Sequence, residues 1–207
     1  MKFFNPDSKF FQLMTSFGEM MLLNLCYILG CLPVITVGAA NTAMYTILGR
    51  RLREEPHQGI VGPFFKAWWS NLKLGCLFWL AQVFVTTSLG MLLLMQAMPT
   101  FLKVIAGILL VLETLTFTLI YPQLARFRNR PMAYIQNAII LLVTKFKWVL
   151  LNLLLFLSPV ILFLLFPVDF LQYGFIWILF AFSLLFFLSA ELMQKILAPM
   201  EEAAAQR

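Results

Sequence analysis

Charge is what this sequence has least of. Acidic and basic side chains make up 12% of its 207 residues and apolar ones 62%, and the mean hydropathy is +0.90. An ordinary soluble domain carries roughly twice that charged share, so a surface built for water is excluded. Histidine occurs once, at His57, which rules out a histidine metal cluster and the paired histidines of zinc hydrolases. There is no Gly-x-x-x-x-Gly-Lys-Ser/Thr loop to cradle a nucleoside triphosphate, and no Gly-x-Ser-x-Gly elbow. The three cysteines, Cys26, Cys31 and Cys76, lack metal-ligand spacing and read as reduced packing residues. No catalytic residue, metal or cofactor is expected. Asp7 and Glu19 speak against a cleaved leader ending near residue 40.

What the chain does have is long apolar runs. A hydrocarbon core about 30 Å thick needs about 20 helical residues. Runs over 74–95, 101–121, 148–166 and 171–192 satisfy that, and an opening segment over 20–48 makes a fifth. The runs do not alternate as barrel strands would. The fold class expected is therefore all-α: one integral membrane domain, a polytopic bundle of five spans, with a preamble over 1–19 and a tail over 193–207. Lys and Arg cluster in two loops. Arg50, Arg51, Arg53, Lys66 and Lys73 follow the first span; Arg126, Arg128, Arg130, Lys145 and Lys147 follow the third. Such loops face the cytoplasm, so counting spans puts the C-terminus inside and the N-terminus outside. The segments "PFFKAWWSNLK" over 63–73 and "PMAYIQNAIILLVTKFK" over 131–147 are too short or too polar to span and read as interfacial helices, the second with a stripe of Met132, Ile135, Ile139 and Leu142. Trp68, Trp69, Trp148, Tyr173 and Trp177 read as interface anchors.

The opening segment is unusual. Pro33 removes a backbone donor and Gly38 adds freedom, so the helix is expected to break there; breaks at membrane depth are tolerated where protein or a cavity surrounds them. A hairpin bent at Pro33 is the alternative, with arms of about 14 residues and roughly 20 Å, too short to cross. A single crossing is favoured by an internal likeness: Tyr45 to Arg50 and Tyr121 to Arg126 both read Tyr-x-x-Leu-(Gly/Ala)-Arg. This suggests a degenerate repeat of spans one and two in spans three and four. Within the spans, Glu113 stands out, because a mid-depth carboxylate costs about 2.5 to 3.5 kcal/mol. With Gln82, Thr86, Asn41 and Thr36 it forms the candidate intramembrane polar site. The plainer reading is an interhelical hydrogen bond.

The order "LPVITVGAANTAMYTILGRRLR", "FFKAWWSNLK" and "YPQLARF", behind the preamble "FFNPDSKFFQ", resembles the YesL-like family of small Gram-positive membrane proteins. That resemblance implies an auxiliary, non-enzymatic role beside a carbohydrate ABC transporter permease or a sensor kinase. It supplies no catalytic residue. A self-sufficient transporter with a site between the broken span and Glu113 is the alternative. The net charge of +6 belongs to the cytoplasmic loops, where Arg50, Arg51, Arg53, Arg126, Arg128 and Arg130 suit anionic lipid or an acidic protein surface, with no nucleic acid implied.

Overall fold

A computed structural model describes residues 9–55, 59–176, 179 and 181–205. The chain's first eight residues, His57 and Trp177 lie outside the described residues. Among those described, nine α-helices follow one another: α1 (Lys9–Cys31), α2 (Val37–Leu52), α3 (Val61–Ser70), α4 (Leu72–Leu94), α5 (Thr100–Arg126), α6 (Pro131–Thr144), α7 (Phe146–Leu165), α8 (Pro167–Gln172) and α9 (Phe182–Ala205). A 3-10 turn, Val34–Thr36, joins α1 to α2. The described residues contain no strand.

Four stretches are long and apolar enough to cross a membrane: Met14–Cys31, Leu72–Leu94, Thr100–Arg126 and Phe146–Leu165. The last three match the expected spans, because length and hydropathy are local properties. The first does not. The expected single span over 20–48 is two helices packed antiparallel. Glu19 pairs with Arg51 at 3.1 Å, and the Tyr27 hydroxyl donates to Asn41 at 2.9 Å. Nearer the bend, Gly30 lies against Ala40. Pro33 makes the bend, with an extended backbone (φ −78°, ψ 109°). Thr36 then repairs it: its hydroxyl lies 2.8 Å from the Gly30 carbonyl and 2.7 Å from that of Pro33. Trp68 of α3 donates to the same Gly30 carbonyl at 3.2 Å. A break that strands carbonyls in an apolar setting persists only when donors reach them, and here two side chains do. Arms too short to cross argue against a hairpin; α1 removes that objection by beginning at Lys9, well before the apolar window.

The second arm, α2, is the centre of the bundle. Ten of its sixteen residues are buried, and it packs on α1, α3, α4, α5 and α9. Small side chains permit this: Gly38, Ala39, Ala40 and Ala43 let neighbouring backbones approach, the substitute for hydrophobic driving force when the surroundings are lipid. The closest approach is to Gly75 at the start of α4, where Gly38 meets the Gly75 backbone. On α4 itself only Gly75 and Phe78 are buried. The rest of its apolar surface, including Leu77, Leu80, Phe84 and Met91, is exposed. An apolar flank of that extent marks contact with a membrane or another protein.

The element order repeats: a helix ending Tyr-x-x-Leu-(Gly/Ala)-Arg, a short helix, then a long apolar one, in α2–α3–α4 and again in α5–α6–α7. A turn at Tyr173–Gly174 lies near the start of the expected run over 171–192, and residues 177, 178 and 180 of that run lie outside the described residues. On α6 the buried side chains are Tyr134, Ala138, Leu141 and Leu142, while Met132 and Ile139 are exposed. Of the other two residues of the expected stripe, Ile135 is half-buried and Leu142 is buried.

Candidate functional site: a basic cavity and an exposed carboxylate

The two Tyr-x-x-Leu-(Gly/Ala)-Arg termini meet. Arg50 and Arg51 lie in the last turn of α2 and Arg126 in the last turn of α5, where the partial negative charge of a helix C-terminus favours a cation. Arg50 and Arg126 line a single cavity of about 920 Å³ with Lys66 of α3 and Arg128 of the α5–α6 loop. No acidic side chain is among its described lining residues. Apolar Leu74, Leu124 and Phe127 also line it, and Ser70 and Asn71 add polar groups.

The loop carrying Arg128 is held rigidly. Tyr134, fully buried with its ring edge-on to Phe78, donates its hydroxyl to the Phe127 carbonyl at 2.7 Å and accepts from the Asn129 N–H at 2.9 Å. One hydroxyl thus pins the backbone on both sides of Arg128. Outside the cavity, Glu55 sits 2.9 Å from the Arg53 guanidinium and 3.8 Å from that of Arg50, so one carboxylate serves two arginines. Arg53 and Glu55 line a smaller adjoining cavity with Arg50 and Arg126. Of the six arginines expected to form one basic surface, Arg50, Arg126 and Arg128 share the large cavity. Arg51 turns to Glu19 instead, since successive helical residues point about 100° apart. Arg130 caps α6 and is exposed.

The intramembrane candidates do not converge. Glu113 of α5 accepts from the Thr86 hydroxyl of α4, at 3.0 and 3.2 Å to its two oxygens. Gln82 accepts from Tyr121 at 2.8 Å. Asn41 and Thr36 bond back into the α1–α2 hairpin. Thr116, three residues on from Glu113, donates its hydroxyl to the Leu112 carbonyl at 2.7 Å. Glu113 is half-buried and Thr86 exposed, so their pair lies on the outer side of the α4–α5 hairpin, among exposed Val83, Phe84, Leu109 and Leu112.

Sequence reasoning misses the polar pairs at the core. Tyr45 bonds Ser189 of α9 at 2.6 Å, and Ser183 of α9 donates its N–H to Asn24 of α1 at 2.9 Å. These join the C-terminal helix to the hairpin. No local pattern announces them, since each pairs residues more than 140 positions apart. Asn152 on α7 is fully buried within reach of the Tyr45 hydroxyl, and neither side-chain polar atom makes a well-formed hydrogen bond to a described residue. Among the described residues no group of His, Cys, Asp and Glu is placed to hold a metal ion.

Together these features define a class: a multi-pass helical bundle of membrane type, built on a central hairpin, with a basic cavity and no recognisable reaction centre among the described residues. Residues 20–95, which contain most of the hairpin together with α3 and α4, match a family described as a protein of unknown function, DUF624. No curated protein and no solved structure matches the chain.

Proposed function

We propose that this chain is an integral protein of the bacterial cell membrane that acts by association: a non-enzymatic auxiliary subunit of a carbohydrate transport or sensing system. The Thr86–Glu113 pair carries the reading. Ionisable groups inside spans almost always face protein or a water-filled cavity, because lipid solvates them poorly. This carboxylate sits on an outer apolar flank, with Thr86 bonded to it across the hairpin. A helix from another membrane protein, offering hydrogen-bond donors at that depth, completes its surroundings. The permease or sensor kinase as partner rests on the sequence resemblance alone. Convergent polar groups, which a self-sufficient transporter needs at mid-depth, are dispersed over three separate sets of bonds, and this favours the auxiliary role.

Charge bias places the basic cavity in the cytoplasm. Lys195 of α9 lies over the Trp148 ring at 5.2 Å, which suits a cytoplasmic C-terminus. The Glu19–Arg51 pair supports a cytoplasmic N-terminus in this reading, whereas a single crossing would put it outside. The test is affinity purification in mild detergent. Glu113→Gln keeps hydrogen-bonding ability and is expected to retain a co-purifying permease or kinase, whereas Glu113→Leu loses it with the bundle still folded. Recovery of the same partner with the leucine variant refutes the proposal.

A further inference from the structure

The basic cavity lies apart from the Thr86–Glu113 flank and is complete whether or not a partner helix covers that flank. Four cations from α2, α3, α5 and the α5–α6 loop face one concave space, with no carboxylate among its described lining residues. Topology signalling needs Lys and Arg near span ends, but it needs no cavity and no particular loop shape. Here Arg128 is presented from a backbone clamped at Phe127 and Asn129 by the buried Tyr134 hydroxyl, and holding a binding group in place before the ligand arrives reduces the entropy lost on binding. Arg50 shares Glu55 with Arg53, and from the longer distance of 3.8 Å. Lys66 and Arg128 have no ion-pair partner among the described residues, and these two leave the site positively charged.

The shape of the cavity narrows the anion. Guanidinium groups make bidentate bonds to the oxygens of phosphate, and an ammonium such as that of Lys66 adds a point charge. About 920 Å³ is far more than a bare phosphate fills, and the apolar lining of Leu74, Leu124 and Phe127 wants carbon against it. We infer that the cavity between the end of α2, α3, the end of α5 and the start of α6 binds a phosphate group carried on an organic molecule. Two sources offer this chemistry: the headgroup of an anionic phospholipid, or a soluble phosphate ester.

The test uses the full chain purified in a neutral detergent, with fluorescent phosphatidylglycerol added in mixed micelles and binding followed by anisotropy. Phosphatidylglycerol binds saturably, fluorescent phosphatidylcholine does not, and Lys66→Gln/Arg128→Gln weakens binding at least about tenfold, the scale of one lost charge-assisted hydrogen bond. Arg130→Gln/Lys147→Gln removes the same charge outside the cavity and leaves affinity unchanged. Soluble glycerol phosphate distinguishes the sources: displacement of the lipid at submillimolar concentration assigns the site to a soluble ester, and no displacement assigns it to the headgroup. If the cavity variant fails to fold, Tyr134→Phe retains every charge while freeing the loop, and weakens binding severalfold. Equal loss in the two double variants, equal binding of the two lipids, or an unaltered Tyr134→Phe affinity would each overturn the inference, leaving only diffuse surface charge.

Discussion

Substituting Gly75 by alanine tests the α2–α4 crossing on which the bundle is built. A Cβ at Gly75 would lie 2.6 Å from the Ala39 nitrogen, 2.7 Å from its Cα and 2.9 Å from the Gly38 carbonyl carbon. All three are backbone atoms of α2, so no side chain can rotate aside. Restoring ordinary carbon contact near 3.5 Å requires the helices to part by about an ångström. Overpacking of this kind costs about 1–3 kcal/mol, against a gain of about 1 kcal/mol from replacing glycine inside a helix. The strain also propagates: Ala39, Ala40 and Ala43 pack along the same helix at zero exposure. The matched control lies on α4 itself, since a Cβ at Gly90 meets nothing within 4 Å. Gly90→Ala is expected to hold or raise the melting temperature of the detergent-solubilised protein, and Gly75→Ala to lower it. Equal melting temperatures for the two variants would show that α2 and α4 do not cross here, and with that the hairpin architecture would fall.

Asn152 carries two buried polar atoms with no well-formed hydrogen bond among the described residues, although Tyr45 is within reach; desolvating such a group costs about 1–3 kcal/mol. Asn152→Leu, which keeps the branched shape but is larger, is expected to stabilise the protein in the same melting assay; clear destabilisation would mean the amide is bonded in the folded protein. Topology can be read in a variant with Cys26, Cys31 and Cys76 replaced by alanine. Single cysteines at Asn5, Gln58 and Asn129 are all expected to resist an impermeant thiol reagent in intact cells, because the Glu19–Arg51 pair supports a cytoplasmic N-terminus. Labelling at Asn5 alone would restore a single crossing.

The spans α4, α5 and α7 are legible in the amino-acid sequence alone, because crossing length and hydropathy are properties of one contiguous stretch. Pro33 likewise declares a break, since a missing N–H acts wherever proline stands. The path of the chain beyond that break is another matter. Whether it continues or turns back depends on contacts between distant residues, and Glu19 with Arg51, Tyr27 with Asn41 and Gly38 with Gly75 are what turn it back. The start of α1 is hidden for a related reason: Lys9 to Glu19 mixes polar and apolar residues, so an apolar window opens too late and makes the arm look short. The meeting of Arg50 and Arg126 is legible through the likeness of the segments that carry them. The concavity between them is not, because it is enclosed by Lys66 from α3 and by a loop held on Tyr134, and only the packing of four separate elements creates that space.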